Sequence, residues 1–531
     1  MPVNRLSFLV LALFSVGVAS CSGGGSGGVT PSGSAPNGSG SAEGQLLQTL
    51  EPARLYAPDA GDQAGAIAAG DFNGDGIPDV VLAAAFADGP DGERADGGAA
   101  YVFLGPFQPG QARDAAKGDQ AVTVYGAATG DQLGRSVAAG DFNGDGVDDI
   151  ILGSPFSDGP QGDRKDAGRI DVVLGGASFG EGQQRIDVGR ESAFTVYGAT
   201  AGDLAGFSVT TGRLNGDTAA DLVAGAFYAA GPGDSRPLGG EVYVLYGGPR
   251  RSGVVDLAAG SADVTVFGAA AGDRLGEGVA AGDVNGDSLD DLVLPAPFAV
   301  NLNGAKDAGR TYVIHSPAPT SIDLASFTPA ATVYGVDDGD QLGHVSVAGD
   351  VDGDGKADLL LTAVSADGPN NTVDLAGEAA LILAPSLKQT VDVASGGADS
   401  IIYGRDREDR LGRSATMGDI DGDGRMELIL GAPGGGGPDD NVPDAGEIYV
   451  LPGKLNGDVT APGPGRVFYG LDKGDALGSE VFGRNPLAAA DLDSDGRDEV
   501  LVVAPLGDGP DNGRKDCGEA LILFITAGNG G

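Results

Sequence analysis

Seven acidic segments recur at nearly even intervals, and this spacing constrains the fold more than any other feature. They begin at Asp71, Asp141, Arg213, Asp283, Asp350, Asp419 and Asp491, in steps of 70, 72, 70, 67, 69 and 72 residues. Each follows a stretch like Gly-Asp-x-Leu-Gly, runs through Asp-x-Asn-Gly-Asp-Gly-x-x-Asp, and enters an apolar run. A fixed period of this kind marks a repeat architecture, in which each unit buries its apolar face against its neighbours.

Each period reads as four short strands with longer loops. In the second, the spacing predicts strands over 136–140, 149–153, 169–174 and 194–197. The second of these is a continuous apolar run, as expected of a strand buried on both faces. Gly supplies 96 of 531 residues and Trp none, and apolar runs are short and separated by Gly, Asp and Asn. That pattern signals strands and tight turns, and no long segment has helical apolar spacing. The expected fold is therefore all-β: a seven-bladed β-propeller of four-stranded blades. An open solenoid would need polar caps, and the chain ends point to closure instead. Ala53-Arg54-Leu55-Tyr56 precedes the first repeat as Thr123-Val124-Tyr125 precedes the second, while the seventh repeat ends with its third strand, over 520–525. The N-terminal strand is expected to complete the last blade and close the ring, removing two exposed sheet edges.

Residues 1–20 read as an export signal, with Arg5 ahead of a largely apolar run from Leu6 to Val18 that is too short to span a bilayer. Val18-Ala19-Ser20-Cys21 resembles a lipobox, which implies lipidation of Cys21. Residues 21–45 form a lipidated Cys with a Ser/Gly-rich tether, and 46–531 the propeller. Ser22 after the Cys favours the outer membrane, by resemblance to bacterial lipoproteins. The expected location is an exported outer-membrane or cell-surface lipoprotein, held to the membrane by its lipid alone. The other cysteine, Cys517, stands where other repeats carry Ala and reads as a small packed residue.

The acidic segments have the donor pattern of cation loops. In the first, Asp71, Asn73, Asp75 and Asp79 place side-chain oxygens at positions 1, 3, 5 and 9, and Ile77 offers a backbone carbonyl at position 7. Gly76 at position 6 permits a sharp turn. Hard oxygen donors at this spacing suit Ca2+. Position 12 is Leu82 and the sequence beyond it is strand-like, so the loop belongs to a β-hairpin and not to a helix–loop–helix unit. The set recurs as Asp141, Asn143, Asp145, Val147 and Asp149; as Asp283, Asn285, Asp287, Leu289 and Asp291, with Ser288 in the Gly position; and as Asp350, Asp352, Asp354, Lys356 and Asp358. It recurs again as Asp419, Asp421, Asp423, Arg425 and Glu427, and as Asp491, Asp493, Asp495, Arg497 and Glu499. The third loop departs, with Arg213 at position 1 and Thr218 at position 6. It is expected to hold no metal, with the Arg213 guanidinium pairing with Asp217 and Asp221 instead. About six Ca2+ ions are expected, acting as structural staples. The formal net charge of −44 would then fall to about −32. So acidic a surface repels phosphate backbones, and no nucleic acid partner is expected.

With these loops in view, the repeats resemble the FG-GAP repeats that build the N-terminal β-propeller of integrin α chains. Tyr125-Gly126, Leu133-Gly134, the Asp141–Asp149 loop and Leu152-Gly153-Ser154-Pro155 carry the likeness, with Phe267-Gly268 and Gly431-Ala432-Pro433 giving its name literally. The resemblance covers about residues 50–526. It implies calcium loops on the lower face and ligand contacts on the upper one, where Asp88-Gly89-Pro90, Asp158-Gly159-Pro160, Asp367-Gly368-Pro369 and Asp508-Gly509-Pro510 would lie. Asp96, Asp166, Asp307, Asp444 and Asp516 precede third strands, where they serve an acidic rim or, as favoured here, local turn bonding. Repeats three and four break the pattern at Gly231-Pro232 and Pro297-Phe298, the first place to look for a ligand patch. The chain offers nothing that matches an integrin leg.

There are two histidines, His315 and His344, and no nucleophile elbow, zinc-protease motif or phosphate loop. Carboxylates repeated in every unit argue for structure. The expectation is therefore no catalysis: a calcium-binding cell-surface adhesion or interaction module whose partner is a surface protein or a glycan. The alternative is a calcium-dependent extracellular enzyme acting on polysaccharide or phospholipid.

Overall fold

The structure is a computed structural model that describes residues 45–46, 51–249, 251–437, 440–470, 472–479 and 486–525. The signal at 1–20, Cys21 and the tether through residue 44 lie outside the described residues.

Seven antiparallel meanders are arranged in a ring. Blade 1 comprises Ala64–Gly70, Asp79–Ala84, Ala99–Phe103 and Val122–Tyr125. Blade 2 comprises Ser136–Gly140, Asp149–Ser154, Arg169–Val173 and Phe194–Tyr197, within a residue of the strands expected from spacing. The first strand of each blade packs against that of the next, and the first strand of blade 7 packs against that of blade 1. These inner strands surround a central cavity of about 420 Å³. They are built from small residues, as in Ser136-Val-Ala-Ala-Gly140, because seven strands converge there. The second strands are mainly apolar within and buried along almost their full length, so each blade is sandwiched between two neighbours.

Glycines permit the closest approaches between blades. Gly98, at φ 85°, bridges to Leu133 of the following blade, and a Cβ there would lie 2.2 Å from the Leu133 carbonyl oxygen. This contact gives the Leu of the Gly-Asp-x-Leu-Gly stretch its role as an inter-blade contact.

Each blade is the expected meander of four strands, and a short fifth strand is added at its outer edge. The loop between the third and fourth strands of each blade reaches back and lays a short parallel strand on the outer strand of the preceding blade. Gln184–Asp187 of blade 2 pairs with Val122–Tyr125 of blade 1, and Gly253–Asp256 pairs with Phe194–Tyr197. These straps cover the outermost edges, which would otherwise present unpaired backbone groups.

The N-terminal segment closes the ring, and does so twice. Ala53–Tyr56 is the fourth strand of blade 7, paired antiparallel with Glu519–Leu523. Gln45–Leu46 is the strap on blade 6, parallel to Arg466–Tyr469. Both meander hairpin faces follow from this topology. The loops joining first to second strands, which are the acidic segments, lie on one face, the lower. The loops joining second to third strands lie on the other, the upper.

Candidate functional site

In blade 1, the Asp71 carboxylate organises the lower loop through its own backbone. Oδ1 accepts from the amides of Gly74 (2.8 Å) and Asp75 (3.0 Å), and Oδ2 from that of Gly76 (2.8 Å). The same three-donor cradle surrounds Asp141, Asp283, Asp350 and Asp419. Position 5 caps position 7: Asp75 Oδ1 accepts from the Ile77 amide at 2.9 Å. Ser288 takes the left-handed conformation, at φ 73°, that Gly supplies in most sister loops.

Position 9 opens the second strand and is buried in every blade but the sixth, where Glu427 is half-buried. Asp79 accepts from the Phe72 amide (3.0 Å) within its own loop and from the Gly105 amide (2.8 Å) in the loop after the third strand. Asp149, Asp221 and Asp358 make the corresponding two bonds. Burial, reinforced by the neighbouring loop carboxylates, pushes Asp79 and Asp149 up to about 7, Glu427 to about 7 and Glu499 to about 8. Carboxylates crowded in this way repel one another, and a bound cation would relieve that repulsion.

The six loops fall into two groups. In blades 5, 6 and 7, three carboxylates converge with ligand oxygens within 4.8 Å of one another: Asp350, Asp352 and Asp358; Asp419, Asp421 and Glu427; Asp491, Asp493 and Glu499. These clusters can hold a metal ion, and their all-oxygen donors fit a hard cation. Position 5, namely Asp354, Asp423 or Asp495, stands outside each converging set. In blades 1, 2 and 4 position 3 is Asn. Asn73 and Asn143 donate to Asp75 and Asp145, and Asn285 donates to Asp291.

The third loop forms without the expected ion pair. Arg213 is exposed and makes no salt bridge to Asp217 or Asp221; its backbone amide donates to Asp290 Oδ2 (2.7 Å). Asp217 caps Ala219, and Asp221 is bonded by Leu214, Gly247 and Asn215. With both carboxylates occupied by short-range donors, the guanidinium has no buried partner to seek.

On the upper face, the Asp-Gly-Pro loops close on themselves. Asp88 accepts from the Asp96 amide, Asp158 from that of Asp166 and Asp508 from that of Asp516, at 2.9–3.1 Å. Asp96, Asp166, Asp307, Asp444 and Asp516 all have φ between 51° and 56°. This is turn bonding, and Asp367 repeats it with the Leu375 amide.

Blades 3 and 4 differ, as the broken pattern at 231–232 and 297–298 suggested. Leu238, Val300 and Leu302 are 39%, 42% and 51% exposed on upper loops. Leu204, Phe207 and Phe227 form a small apolar cluster with Phe156 and Tyr228. Arg274 stacks over Phe298, with its guanidinium carbon 4.0 Å from the ring centroid. Phe227 and Tyr228 follow the Gly-Ala of their repeat, a signal readable once the upper loops are aligned. His315 is half exposed with Nε2 3.9 Å from Asp291, and His344 lines the central cavity.

The FG-GAP repeat model matches residues 64–103, 133–173, 275–314 and 411–451, within blades 1, 2, 4 and 6. A phosphatidylinositol-glycan-specific phospholipase D of Dictyostelium discoideum is 26% identical over 378 residues, covering 68% of this chain and 38% of that protein. The protein of that name from Mus musculus is 32% identical over 166 residues, 31% of this chain and 19% of its own. Integrin alpha pat-2 of Caenorhabditis elegans is 28% identical over 254 residues, 44% of this chain and 18% of its own. The chain thus spans less than half the length of these relatives. The expectation of no catalysis is corrected here: relatives matched over two thirds of this chain are named as enzymes. Short contiguous motifs are a poor guide here, because catalytic side chains are recognised by their geometry and roles and can come together from separate parts of a chain. No helix among the described residues is long and apolar enough to cross a membrane.

Proposed function

We propose, on the premise that this chain is an FG-GAP repeat propeller similar to the integrin α chains, that it is a calcium-stapled recognition module. It would be exported, held at the outer membrane or cell surface through Cys21, and would take a protein or glycan on the upper rim of blades 3 and 4. The observation that carries this reading is the exposure of Leu238, Val300 and Leu302 on the upper loops of blades 3 and 4, where Arg274 lies over the Phe298 and Tyr228 rings, on a molecule of net charge −44. Apolar side chains gathered on one rim of so acidic a surface are a place for a partner. The lower loops support the calcium part, through hard oxygen donors cradled by backbone amides. The full chain, bound to surface-protein and glycan arrays with calcium, should retain a partner that Leu302→Asp releases. Retention unchanged in Leu302→Asp and Val300→Asp would move the site elsewhere.

A second reading has its own observation, the repeated match to proteins named phosphatidylinositol-glycan-specific phospholipase D. In that reading the propeller serves phospholipid chemistry, by docking a glycolipid headgroup or by acting on it. Incubating the full chain with a glycosylated phosphatidylinositol and calcium, and assaying for released phosphatidate, tests turnover directly.

A further inference from the structure

Six blades open with a buried Asp from the Gly-Asp-x-Leu-Gly stretch: Asp62, Asp131, Asp203, Asp273, Asp340 and Asp409 are 4–8% exposed, and Asp475 of blade 7 is half-buried. In five of these the Oδ2 atom has a donor. The amides of Asp59, Thr200, Ala270 and Asp337 serve Asp62, Asp203, Asp273 and Asp340, and the Ser157 hydroxyl serves Asp131, at 3.0–3.1 Å. Asp409 is the exception. It is 4% exposed and its Oδ2 has no hydrogen-bond partner. In blades 1, 3, 4 and 5 the donor is the amide three residues earlier; in blade 6 that residue is Asp406, and no bond from it reaches Asp409 Oδ2.

The surroundings of Asp409 add negative charge. Glu447, which opens the third strand, is fully buried, where blades 2 and 4 place Arg169 and Arg310. The charged groups that bear on Asp409 are Glu447, Asp406, Arg405 and Asp440. Of the two buried carboxylates, only Glu447 is provided with donors. Its Oε1 accepts from the Gly437 amide (3.1 Å) and from Arg405 (3.4 Å), and its Oε2 from the Tyr449 hydroxyl. Arg405 also holds Asp406. A buried carboxylate without donors is costly as an anion and much less so as an acid. A metal ion at this place would sit against the Arg405 guanidinium and compete with it for Glu447, so a proton is the smaller and better-suited cation.

We propose that Asp409 holds a proton in the folded protein near neutral pH, and that losing it loosens the upper loop of blade 6. The loop concerned is Gly434–Gly437. Gly434 donates its amide to the Asp409 carbonyl (3.2 Å), and a Cβ on Gly435 would lie 2.4 Å from Glu447 Cγ, so this segment rests directly on the acid pair. Burial, with Glu447 next in effect, pushes Asp409 up to about 7. The sign follows: the folded state binds the proton more tightly than the unfolded one. Stability from this site is greatest near and below the ordinary Asp value of 3.8 and declines as pH rises towards about 7.

The test uses the full chain and its Asp409→Asn variant, which keeps the shape and cannot ionise. Melting temperatures at about pH 5 and about pH 8 should differ less in the variant than in the native chain, by about 2 °C or more. Equal differences would overturn the proposal. Amide exchange of Gly434–Gly437 in the native chain, corrected for its intrinsic pH dependence, should quicken several-fold over the same range. Exchange that stays flat would overturn the proposal even if Asp409→Asn did not fold. A metal that raises the melting temperature of the native chain but not of Asp409→Asn would show a cation in the proton's place, and would also overturn it.

Discussion

Asp71 and Asp148 clasp one another across the boundary between blades 1 and 2. The Asp71 amide donates to Asp148 Oδ2 and the Asp148 amide donates to the Asp71 carbonyl, both at 3.0 Å. Asp71 is position 1 of its loop and Asp148 position 8 of the next. The amide half of this clasp recurs from Ala220 to Asp141, Asp290 to Arg213, Ala357 to Asp283, Met426 to Asp350 and Asp498 to Asp419. The acidic loops are therefore joined in a belt around the lower face. The seventh junction cannot repeat the bond, because position 8 of the first loop is Pro78, which has no amide hydrogen. There the Phe107 amide donates to the Leu492 carbonyl instead, at 3.1 Å. Removing the side-chain half of the clasp with Asp148→Ala should cost about 1–3 kcal/mol, since it strands the half-buried Asp71 amide. Denaturant unfolding measures the loss, and a change below about 0.5 kcal/mol would show that water replaces the carboxylate.

Calcium removal should act unevenly around the ring. Blades 5, 6 and 7 bring three carboxylates together, whereas blades 1, 2 and 4 supply Asn at position 3. More ligand charge favours a divalent ion. Isothermal titration should resolve about three tighter sites and about three weaker ones. Each site should add roughly 2.7 kcal/mol when free calcium is 100 times its dissociation constant. A chelator that leaves the melting temperature unchanged would rule out the staple role.

The third loop offers a gain-of-site experiment. Arg213 is exposed and unpaired with the acids of its own loop, so it is not needed to hold Asp217 or Asp221 in place. Arg213→Asp with Thr218→Gly rebuilds the donor pattern of the sister loops. Calcium stoichiometry should rise by one, with no large loss of stability in calcium-free buffer. An unchanged stoichiometry would mean that the side chains Asp217 and Asp221 are committed to the loop itself.

The upper face is latched in one half of the ring. Arg94 of blade 1 holds Asp187 at the end of the strap (3.0 and 2.5 Å), and Arg164 holds Asp256, Arg236 holds Asp323 and Arg514 holds Asp114. In blade 4 Ala305 stands in this position, and Asn301 donates to the carbonyls of Gly335 and Val336 instead. Burial raises Asp187, but the hydrogen bonds and charge of Arg94 outweigh it and hold the carboxyl below the usual range; Arg164 and Arg236 do the same for Asp256 and Asp323. A depressed carboxylate contributes stability above its unfolded value of 3.8, and that contribution is lost as pH falls through the lower folded value. Arg94→Ala should therefore cost about 1 kcal/mol at neutral pH. The difference from the native chain should close as pH falls below the ordinary Asp value of 3.8 and through the lower folded one. A penalty that persists in acid would point to lost packing of the Arg stem.

The meander strands were legible because their signals are local: a buried apolar run, a flanking Gly, a fixed offset from the acidic loop. Blade 2 was placed to within a residue on that basis. The straps were not legible in the same way. Three or four residues such as Gln184–Asp187 have no periodicity to read, and their partner lies in another blade, about 60 residues away in sequence. A trace did exist, since Ile186-Asp187, Val255-Asp256, Ile322-Asp323 and Val391-Asp392 all pair an apolar residue with Asp before a turn. The acid pair at Asp409 was hidden for a different reason. Its character lies in what is missing, the amide bond from three residues earlier that four sister blades make, and a backbone bond of that kind leaves no mark in the sequence.

Ring closure can be tested at a single side chain. Leu55 is fully buried in the fourth strand of blade 7, opposite Ala520, within the core shared by blades 7 and 1. Arg54 on the same strand bonds Glu519 at 3.0 Å. Leu55→Ala leaves a cavity at the one place where the two ends of the repeat array are joined, and should cost about 2–5 kcal/mol. Arg54→Ala should cost less directly, but it leaves Glu519 buried beside Asp475 with no cation, so its penalty should grow as the pH rises and Glu519 ionises. Because closure links blades that are far apart in sequence, Leu55→Ala should speed unfolding of blades 6 and 7 ahead of blades 2 and 3. Hydrogen exchange resolved by blade reads that order. Uniform acceleration around the ring would show that the propeller unfolds as one unit and that the junction is no weaker than the other six.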